Sequence, residues 1–342
     1  MKAAVLYGQG DVRVEEVPER ALTAGEVRIR IEAALTCGTD LKVYKRGYHA
    51  RMIVPPAVFG HEFAGVISEV ADDALAWQPG DRVVAANSAP CGQCFHCGIG
   101  QENLCEDLLF LNGAYAESIV VPSRLVTRNL LRLAPETSCR DAALVEPLAC
   151  VVQGFRDLGL QMGEHVLVLG AGPIGLMFTL LARNAGCRVT VAGRRAPRLE
   201  AACRLGAERA IDVGDSGDVV AAVRRETRAS FDAVFEAVGR AEAWEAAVQL
   251  VRKGGRVNFF GGCPAGTTVS LDTSLIHYSN LTLRASFHHT PETIREALRH
   301  IEEGTVRAAD FVDGEADLDG LPALFREMAA GNRAIKSSIR VN

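Results

Sequence analysis

Four cysteines stand close together as Cys91, Cys94, Cys97 and Cys105, spaced CxxCxxCx7C. Thiolates are soft ligands, and a two-residue spacer lets neighbouring sulfurs point at one ion. Four of them in one loop suit tetrahedral zinc, and a four-sulfur shell leaves no open position, so this site reads as structural. His96 lies inside the loop but is not needed once four thiolates bind. A redox disulfide pair is the competing use of the same residues. A second set is scattered along the chain. Cys37 lies in Cys37-Gly38-Thr39-Asp40, His61 and Glu62 in Gly60-His61-Glu62, and Glu146 in Val145-Glu146-Pro147-Leu148. Each alone is more commonly a core or surface residue than a ligand. Together they offer sulfur, nitrogen and oxygen donors with room for water, the form of a catalytic zinc site.

A third pattern is Gly170-Ala171-Gly172-Pro173-Ile174-Gly175, a GxGxxG that follows an apolar strand and opens a helix. That context gives an otherwise weak pattern its meaning as a dinucleotide site. Gly170 permits the tight turn, Gly172 lets the backbone approach a pyrophosphate, and Gly175 allows close packing of helix on sheet. Pro173 and Ile174 begin the helix, whose free N–H groups and partial positive charge face the phosphates. Sites for NAD carry a carboxylate about 20 residues on, bonding the ribose 2′-hydroxyl. Here the next strand ends in Gly193-Arg194-Arg195. Two guanidiniums suit a 2′-phosphate, so NADP(H) is expected to be preferred, with NAD(H) still accepted. The bland alternative leaves both arginines solvated. Arg198 and Val238 are assigned to the same cofactor site. Aspartate at position 193 with Arg194 removed is expected to reverse the preference.

Elements must hold these residues in place. The N-terminal part is β-rich, with strands over residues 27–31 and 65–70 separated by glycine and proline punctuation. From Glu146-Pro147 onward the texture changes to alternating strands and helices. Residues 165–170, 188–193, 210–213, 232–238, 256–261 and 281–287 read as strands with helical crossovers. They predict an α/β fold with a doubly wound, six-stranded parallel sheet. Helices are expected over 173–185 and 197–205. The tail is too short to fold alone and is expected to rejoin the first domain. The domains are therefore 1–149 with 288–342, carrying a cysteine lobe at about 88–108, and 150–287 for the dinucleotide.

Composition narrows the class. A chain of 342 residues suggests about two domains, and 48% hydrophobic residues can fill their cores. The net charge of −5, without a basic block, calls for neither nucleic acid nor an anionic membrane. Met1-Lys2-Ala3-Ala4-Val5-Leu6 reads as a first strand, not a signal sequence, so a cytoplasmic location is expected. The apolar run 165–182 is broken by Gly170, Gly172, Pro173 and Gly175, and reads as strand-turn-helix, not a membrane span. Ten cysteines without a signal peptide favour metal binding over a disulfide framework.

Several motifs now stand in order: Cys37-Gly38-Thr39-Asp40, Gly60-His61-Glu62-Phe63-Ala64-Gly65-Val66, the four-cysteine lobe, Gly113-Ala114-Tyr115-Ala116-Glu117, Glu146-Pro147-Leu148 and the glycine fingerprint. Through them nearly the whole chain resembles the zinc-containing medium-chain dehydrogenase/reductase superfamily, in its polyol (sorbitol) and threonine dehydrogenase branch. The resemblance implies a GroES-like catalytic domain joined to a Rossmann domain, with two zinc ions per chain. It implies that Cys37, His61 and Glu62 bind catalytic zinc and that Glu146 either ligates it or holds its water. Thr39 falls where relatives place a hydroxyl that passes on the substrate proton. The implied reaction is hydride transfer between a polyol, sugar alcohol or other secondary alcohol and NAD(P), in a homodimer or homotetramer, at a cleft between the domains.

One position departs from the family pattern. Many relatives carry histidine where this chain has Lys42, and an ammonium donates but does not accept. His49 or water is expected to complete the proton path. Segments 48–52 and 287–290 are polar and aromatic, as lining for a hydroxylated substrate would be. Amino-alcohol oxidation of the threonine dehydrogenase type is the enzymatic alternative. A zinc-independent quinone or enoyl reductase is a further one, and a non-catalytic cofactor-binding protein on the same scaffold is the rival from another class.

Overall fold

The computed structural model describes residues 1–49, 51–74, 76–214, 218–228, 230–331 and 334–341. Its chain divides into two compact units, Met1–Ala149 with His289–Asn342, and Cys150–His288.

In the first unit, strand Val27–Leu35 is the organising element. Val27, Ile29 and Ile31 are fully buried while Arg30 and Glu32 face out, the period-two pattern of a strand with one covered face. Strand Glu62–Val70 pairs antiparallel along one edge, with Leu35 opposite Glu62. Strands Ser118–Val121 and Ser337–Arg340 also pair antiparallel with Val27–Leu35. The C-terminal segment is thus built into this unit through backbone bonds. It contributes to the core as well. Helix Leu321–Ala330 sends Phe325 among Tyr44, Phe59 and Tyr115, with ring centroids 5.3, 5.3 and 6.1 Å away. A separate two-stranded ribbon, Ser88–Ala89 with Leu109–Phe110, brackets the cysteine lobe.

The second unit holds six parallel strands among the described residues. In spatial order they are Arg209–Asp212, Arg188–Gly193, His165–Leu169, Phe231–Glu236, Val251–Phe259 and Thr282–Ala285. The strand order reverses on either side of His165–Leu169, whose five residues are all buried, as a strand covered on both faces requires. Phe178 stacks on Phe235 at 4.1 Å, and Trp244 on Phe259 at 4.2 Å, packing helices against the sheet. The strand ends of this unit lie within two residues of those read in the sequence, except at the start of the fifth. The fifth strand begins at Val251, because Val251 pairs with Phe231 before a register shift. Gly254, at φ +71°, lies within it. The sixth strand is shorter, Thr282–Ala285.

No helix among the described residues is long and apolar enough to cross a membrane. The apolar run 165–182 resolves into strand His165–Leu169 and helix Pro173–Asn184.

Candidate active site and metal centres

Cys37 is the N-cap of helix Gly38–Arg46. Its Sγ accepts from the Thr39 backbone N–H at 3.4 Å, and its own N–H donates to Asp40 Oδ2 at 3.0 Å. This reciprocal capping fixes the sulfur at the helix start. His61 and Glu62 arrive on the next strand over. Gly60 precedes them at φ +89°, and a Cβ there would lie 2.7 Å from the Tyr115 ring, so only glycine allows this approach. Gly65 is equally constrained, since a Cβ would come within 2.1 Å of Arg30 O across the strand pair.

The ligand atoms of Cys37, His61 and Glu62 all lie within 4.8 Å of one another. Each is held from behind. Asp40 Oδ1 accepts from His61 Nδ1 at 2.9 Å, leaving Nε2 for the sulfur side. Asp40 Oδ2 also accepts from Tyr115 Oη at 2.6 Å, and Leu35 O lies 3.1 Å from the same hydroxyl. Burial alone would lower the His61 pKa, but the Asp40 charge and hydrogen bond, joined by Cys37, raise it well above the ordinary imidazole value. Burial would raise Asp40, and its partners His61, Tyr115 and the Cys37 N–H bring it below the ordinary carboxylate value instead.

Glu62 is fully buried and meets the Nζ of Lys336, which also donates to Thr36 O at 2.7 Å. The topology explains this pair. Strands Glu62–Val70 and Ser337–Arg340 flank Val27–Leu35, so Lys336 enters one strand beside Thr36 and Glu62 begins the other. Lys336 satisfies Glu62 Oε2, while Oε1 is buried with no hydrogen-bond partner. An orphaned buried carboxylate oxygen beside a thiol and an imidazole is the donor set that a divalent zinc ion completes. Burial pushes the Glu62 carboxyl up to about 7, against the pull of Lys336 and His61.

Glu146 is not part of this triplet. It lies in helix Val145–Leu158, is 8% exposed, and senses the charges of His61 and Lys336. Burial raises its pKa, and a hydrogen bond from Asn87 works against that rise. Thr39 is half-buried one residue into the helix, and Lys42 lies exposed on it. His49 accepts with Nδ1 from the backbone N–H groups of Arg51 and Met52, at 3.2 and 3.1 Å. Burial, followed by the Arg46 charge, lowers its pKa, and one ring nitrogen is committed to the turn. Of the segments expected to line the site, Tyr48 is 52% exposed, Ala50 lies outside the described residues, and His289 is 3% exposed.

In the cysteine lobe the four sulfurs lie within 4.8 Å of one another, and none forms a disulfide. Cys94 Sγ is 3.5 Å from Cys97 Sγ and 3.9 Å from Cys105 Sγ. Zinc–sulfur bonds of about 2.3 Å in a tetrahedron give sulfur–sulfur edges of about 3.8 Å. The cage therefore fits the ion. Backbone N–H groups turn inward as well: Cys91 N donates to Cys105 Sγ at 3.2 Å, and Cys94 N to Cys91 Sγ at 3.4 Å. Backbone hydrogen bonds bring Cys94 down to about 6, while burial pushes Cys97 up to about 12. Four thiols this close cannot all ionise without a cation among them.

In the second unit the glycine fingerprint adopts its expected geometry. Gly170 has φ +108°, a Cβ on Gly175 would fall 1.8 Å from Gly170 O, and Gly172 caps helix Pro173–Asn184. Around Gly172 the nearest atom to an added Cβ is Arg198 Nη1 at 4.0 Å, which leaves space above the loop and puts a guanidinium at its rim. Ile174 is half-buried in the first helical turn, and Val238 is 43% exposed after the strand Phe231–Glu236. Arg194 and Arg195 are exposed, the latter at φ +76° as the N-cap of helix Ala196–Arg204. Gly193 is buried, and a Cβ there would lie 2.7 Å from Ala171 Cβ. This corrects the expectation that aspartate fits at 193: Ala171 fills the volume it needs.

Sequence reasoning missed several supporting residues. Asp40 and Tyr115 were visible only as motif members, and Lys336 carried no signal at all. Glu236 was likewise missed. It is fully buried and accepts from the N–H groups of Val238 and Gly239 at 2.7 and 2.9 Å, pinning the turn after its strand.

Two family models match the chain. One, described as alcohol dehydrogenase GroES-like domain, covers residues 23–130, and the other, zinc-binding dehydrogenase, covers 173–303. The chain is 35% identical to D-altritol 5-dehydrogenase of Agrobacterium fabrum over 90% of each chain. It is 31% identical to L-threonine 3-dehydrogenase of Streptomyces coelicolor over 92% of each. Among solved structures it resembles a zinc-binding dehydrogenase from Sinorhizobium meliloti bound to NADP. That match has a TM-score of 0.89 and 28% identity, covering 99% of this chain and 98% of that one.

Proposed function

The chain belongs to the zinc-containing medium-chain dehydrogenase/reductase superfamily, in the branch of the polyol and threonine dehydrogenases, and from that premise we propose that it transfers hydride between a polyol or related secondary alcohol and NADP. The observation that carries this reading is the Cys37–His61–Glu62 triplet, its cysteine half-buried and the other two buried, braced by Asp40 and Lys336, in a chain that also folds a separate four-thiol cage. A protein needing zinc only for structure has no use for a second, open donor set.

We assign the open site to Cys37, His61 and Glu62, with Glu146 as a further ligand or the holder of a bound water, and the closed site to Cys91, Cys94, Cys97 and Cys105. Zinc held at the open site would supply Lewis acidity toward a substrate oxygen, and NADP bound by the second unit would supply the hydride acceptor. The chain's own residues do the rest. Asp40 keeps the His61 proton on Nδ1, so Nε2 presents its lone pair. Thr39, half-buried beside Cys37, relays the alcohol proton, its hydroxyl oxygen accepting it while its own O–H proton is handed on. His49 retains Nε2 to pass it outward, because only Nδ1 is tied to the turn. In the second unit, Gly170, Gly172, Pro173, Ile174, Gly175 and Val238 bed the dinucleotide, and Arg194, Arg195 and Arg198 face its phosphates. The exposed Arg194 and Arg195 beyond a strand end without a carboxylate support NADP over NAD, as does the NADP held by the Sinorhizobium relative. The altritol relative, at the higher identity, supports a polyol over an amino alcohol. We place the enzyme in the cytoplasm as a homodimer or homotetramer.

The test is a screen of polyols, sugars, simple alcohols and L-threonine with both cofactors. A polyol should give the highest kcat/KM, with NADP ahead of NAD by about 10–100-fold, the scale of one or two screened arginine–phosphate bonds. Turnover of L-threonine alone would favour the amino-alcohol reading, and equal use of both cofactors would remove the arginine assignment.

A further inference from the structure

Beside the triplet, the first unit buries four more polar side chains together. Asn87, Ser88, Glu146 and His289 are exposed by only 2, 1, 8 and 3%. His289 Nε2 lies 3.1 Å from Asn87 Oδ1 and 3.5 Å from Ser88 Oγ. The Asn87 side chain also hydrogen-bonds the Glu146 carboxylate. An amide oxygen only accepts, so the proton of the first contact sits on His289 Nε2. With Oδ1 used in that way, it is Nδ2 that reaches Glu146. The opposite amide orientation would set Oδ1 against a carboxylate and Nδ2 against the imidazole N–H, losing both bonds. The chain of donors therefore runs one way, from His289 to Asn87 to Glu146.

Its two donors are anchored. Asn87 follows strand Arg82–Ala85, and its carbonyl accepts from Leu111 N at 2.7 Å. His289 immediately precedes Thr290, the N-cap of helix Pro291–Glu302, whose capping box with Thr293 fixes the chain entry. Its neighbour Ser88 is held by Asn129 Nδ2 on its carbonyl at 2.7 Å. A buried carboxylate costs free energy unless its hydrogen bonds are set in advance, and a single amide that can flip does not set them.

We propose that His289 is a positioning residue for Glu146, acting through Asn87: by locking the amide in one orientation it fixes where the Glu146 carboxylate oxygens point. The inference rests on the reading of Glu146 as part of the open metal centre. It needs only a proton on Nε2, and it assigns His289 no contact with substrate.

Cobalt(II) exchanged into the open site, with zinc kept in the cysteine cage, reads the geometry directly. His289→Phe keeps a ring and deletes the donor, and His289→Gln keeps an N–H that can reach Asn87. We expect His289→Phe to change the visible cobalt spectrum and to weaken cobalt binding by about tenfold or more, as loss of an outer hydrogen bond to a ligand does. His289→Gln should restore both. Asn87→Asp should be worse than either, since it sets a second carboxylate against Glu146. An unchanged spectrum and affinity in His289→Phe overturns the proposal. So does equal loss in the Phe and Gln variants with a lowered Tm, because that marks packing alone. Glu146→Gln separates the two levels. If it leaves the spectrum and affinity untouched, Glu146 is no part of the centre and both readings fail; if it alters them while His289→Phe does not, only the positioning role fails.

Discussion

Cofactor choice comes down to a few atoms around Gly193. The sequence shows a missing carboxylate followed by two arginines, and the structure adds why the carboxylate is missing. Ala171, between the first two glycines of the fingerprint, places its methyl 2.7 Å from where a side chain at 193 would begin. Gly193→Asp with Arg194→Ala is therefore expected to overpack the site and destabilise the fold by about 1–3 kcal/mol. Adding Ala171→Gly removes the contact at 2.7 Å and leaves the Ala171 backbone nitrogen, 3.0 Å away, as the nearest neighbour. That triple variant should recover most of the lost Tm and prefer NAD. Thermal melts and kcat/KM with both cofactors check this; a double variant as stable as the parent would show that Ala171 does not restrict position 193.

At the level of elements, the central strand Val27–Leu35 is entered through a turn that depends on one ion pair. Glu26 receives both arms of Arg20, at 2.7 Å each, and the Thr23 N–H at 2.8 Å. These bonds, Arg20 foremost, depress its carboxyl from the ordinary 4.5 to about 2, although burial opposes them. A carboxylate depressed on folding adds stability that is complete above its unfolded value and is lost as pH falls toward its folded one. Arg20 is half-exposed, so solvent screens part of the effect. Glu26→Gln should thus lower Tm at pH 7, and the gap to the parent should narrow as pH drops from about 4.5 toward about 2. A gap that stays constant over that window would mean the ion pair does not set the turn's stability.

Across the whole molecule, the two cysteine sets should respond differently to the same substitution. Metal analysis should find about two zinc ions per chain. Cys37→Ser removes a ligand from a centre whose surroundings are bonded without its sulfur, Tyr115 to Asp40 and Lys336 to Thr36 and Glu62, so it should lose activity and about one zinc while keeping its Tm. Cys94→Ser acts on a lobe whose two helical pieces have only four and three residues and bury no side chain, so zinc supplies the folding energy there. That variant should lose lobe structure and become sensitive to proteolysis between residues 90 and 106. Full turnover by Cys37→Ser would remove the open site from catalysis, and an intact, protease-resistant lobe in Cys94→Ser would remove the metal from its folding.

The sequence by itself determined what local patterns can encode. The CxxC spacing, the glycine fingerprint after an apolar strand and the six strands of the parallel sheet all depend on neighbours within a few residues. Their chemistry is therefore legible along the chain. Gly60 and Gly65 also stood in a visible motif, though the reasons for them, the Tyr115 ring and the Arg30 carbonyl, lie across the sheet. Tertiary structure alone decided which distant groups complete the site. Lys336 meets Glu62 across 274 positions of chain, and His289 meets Asn87 across 202. Such pairs have no periodicity or spacing. They exist because a buried charge or amide must find a partner wherever the sheet order delivers one, and that order is fixed by burial of the whole core.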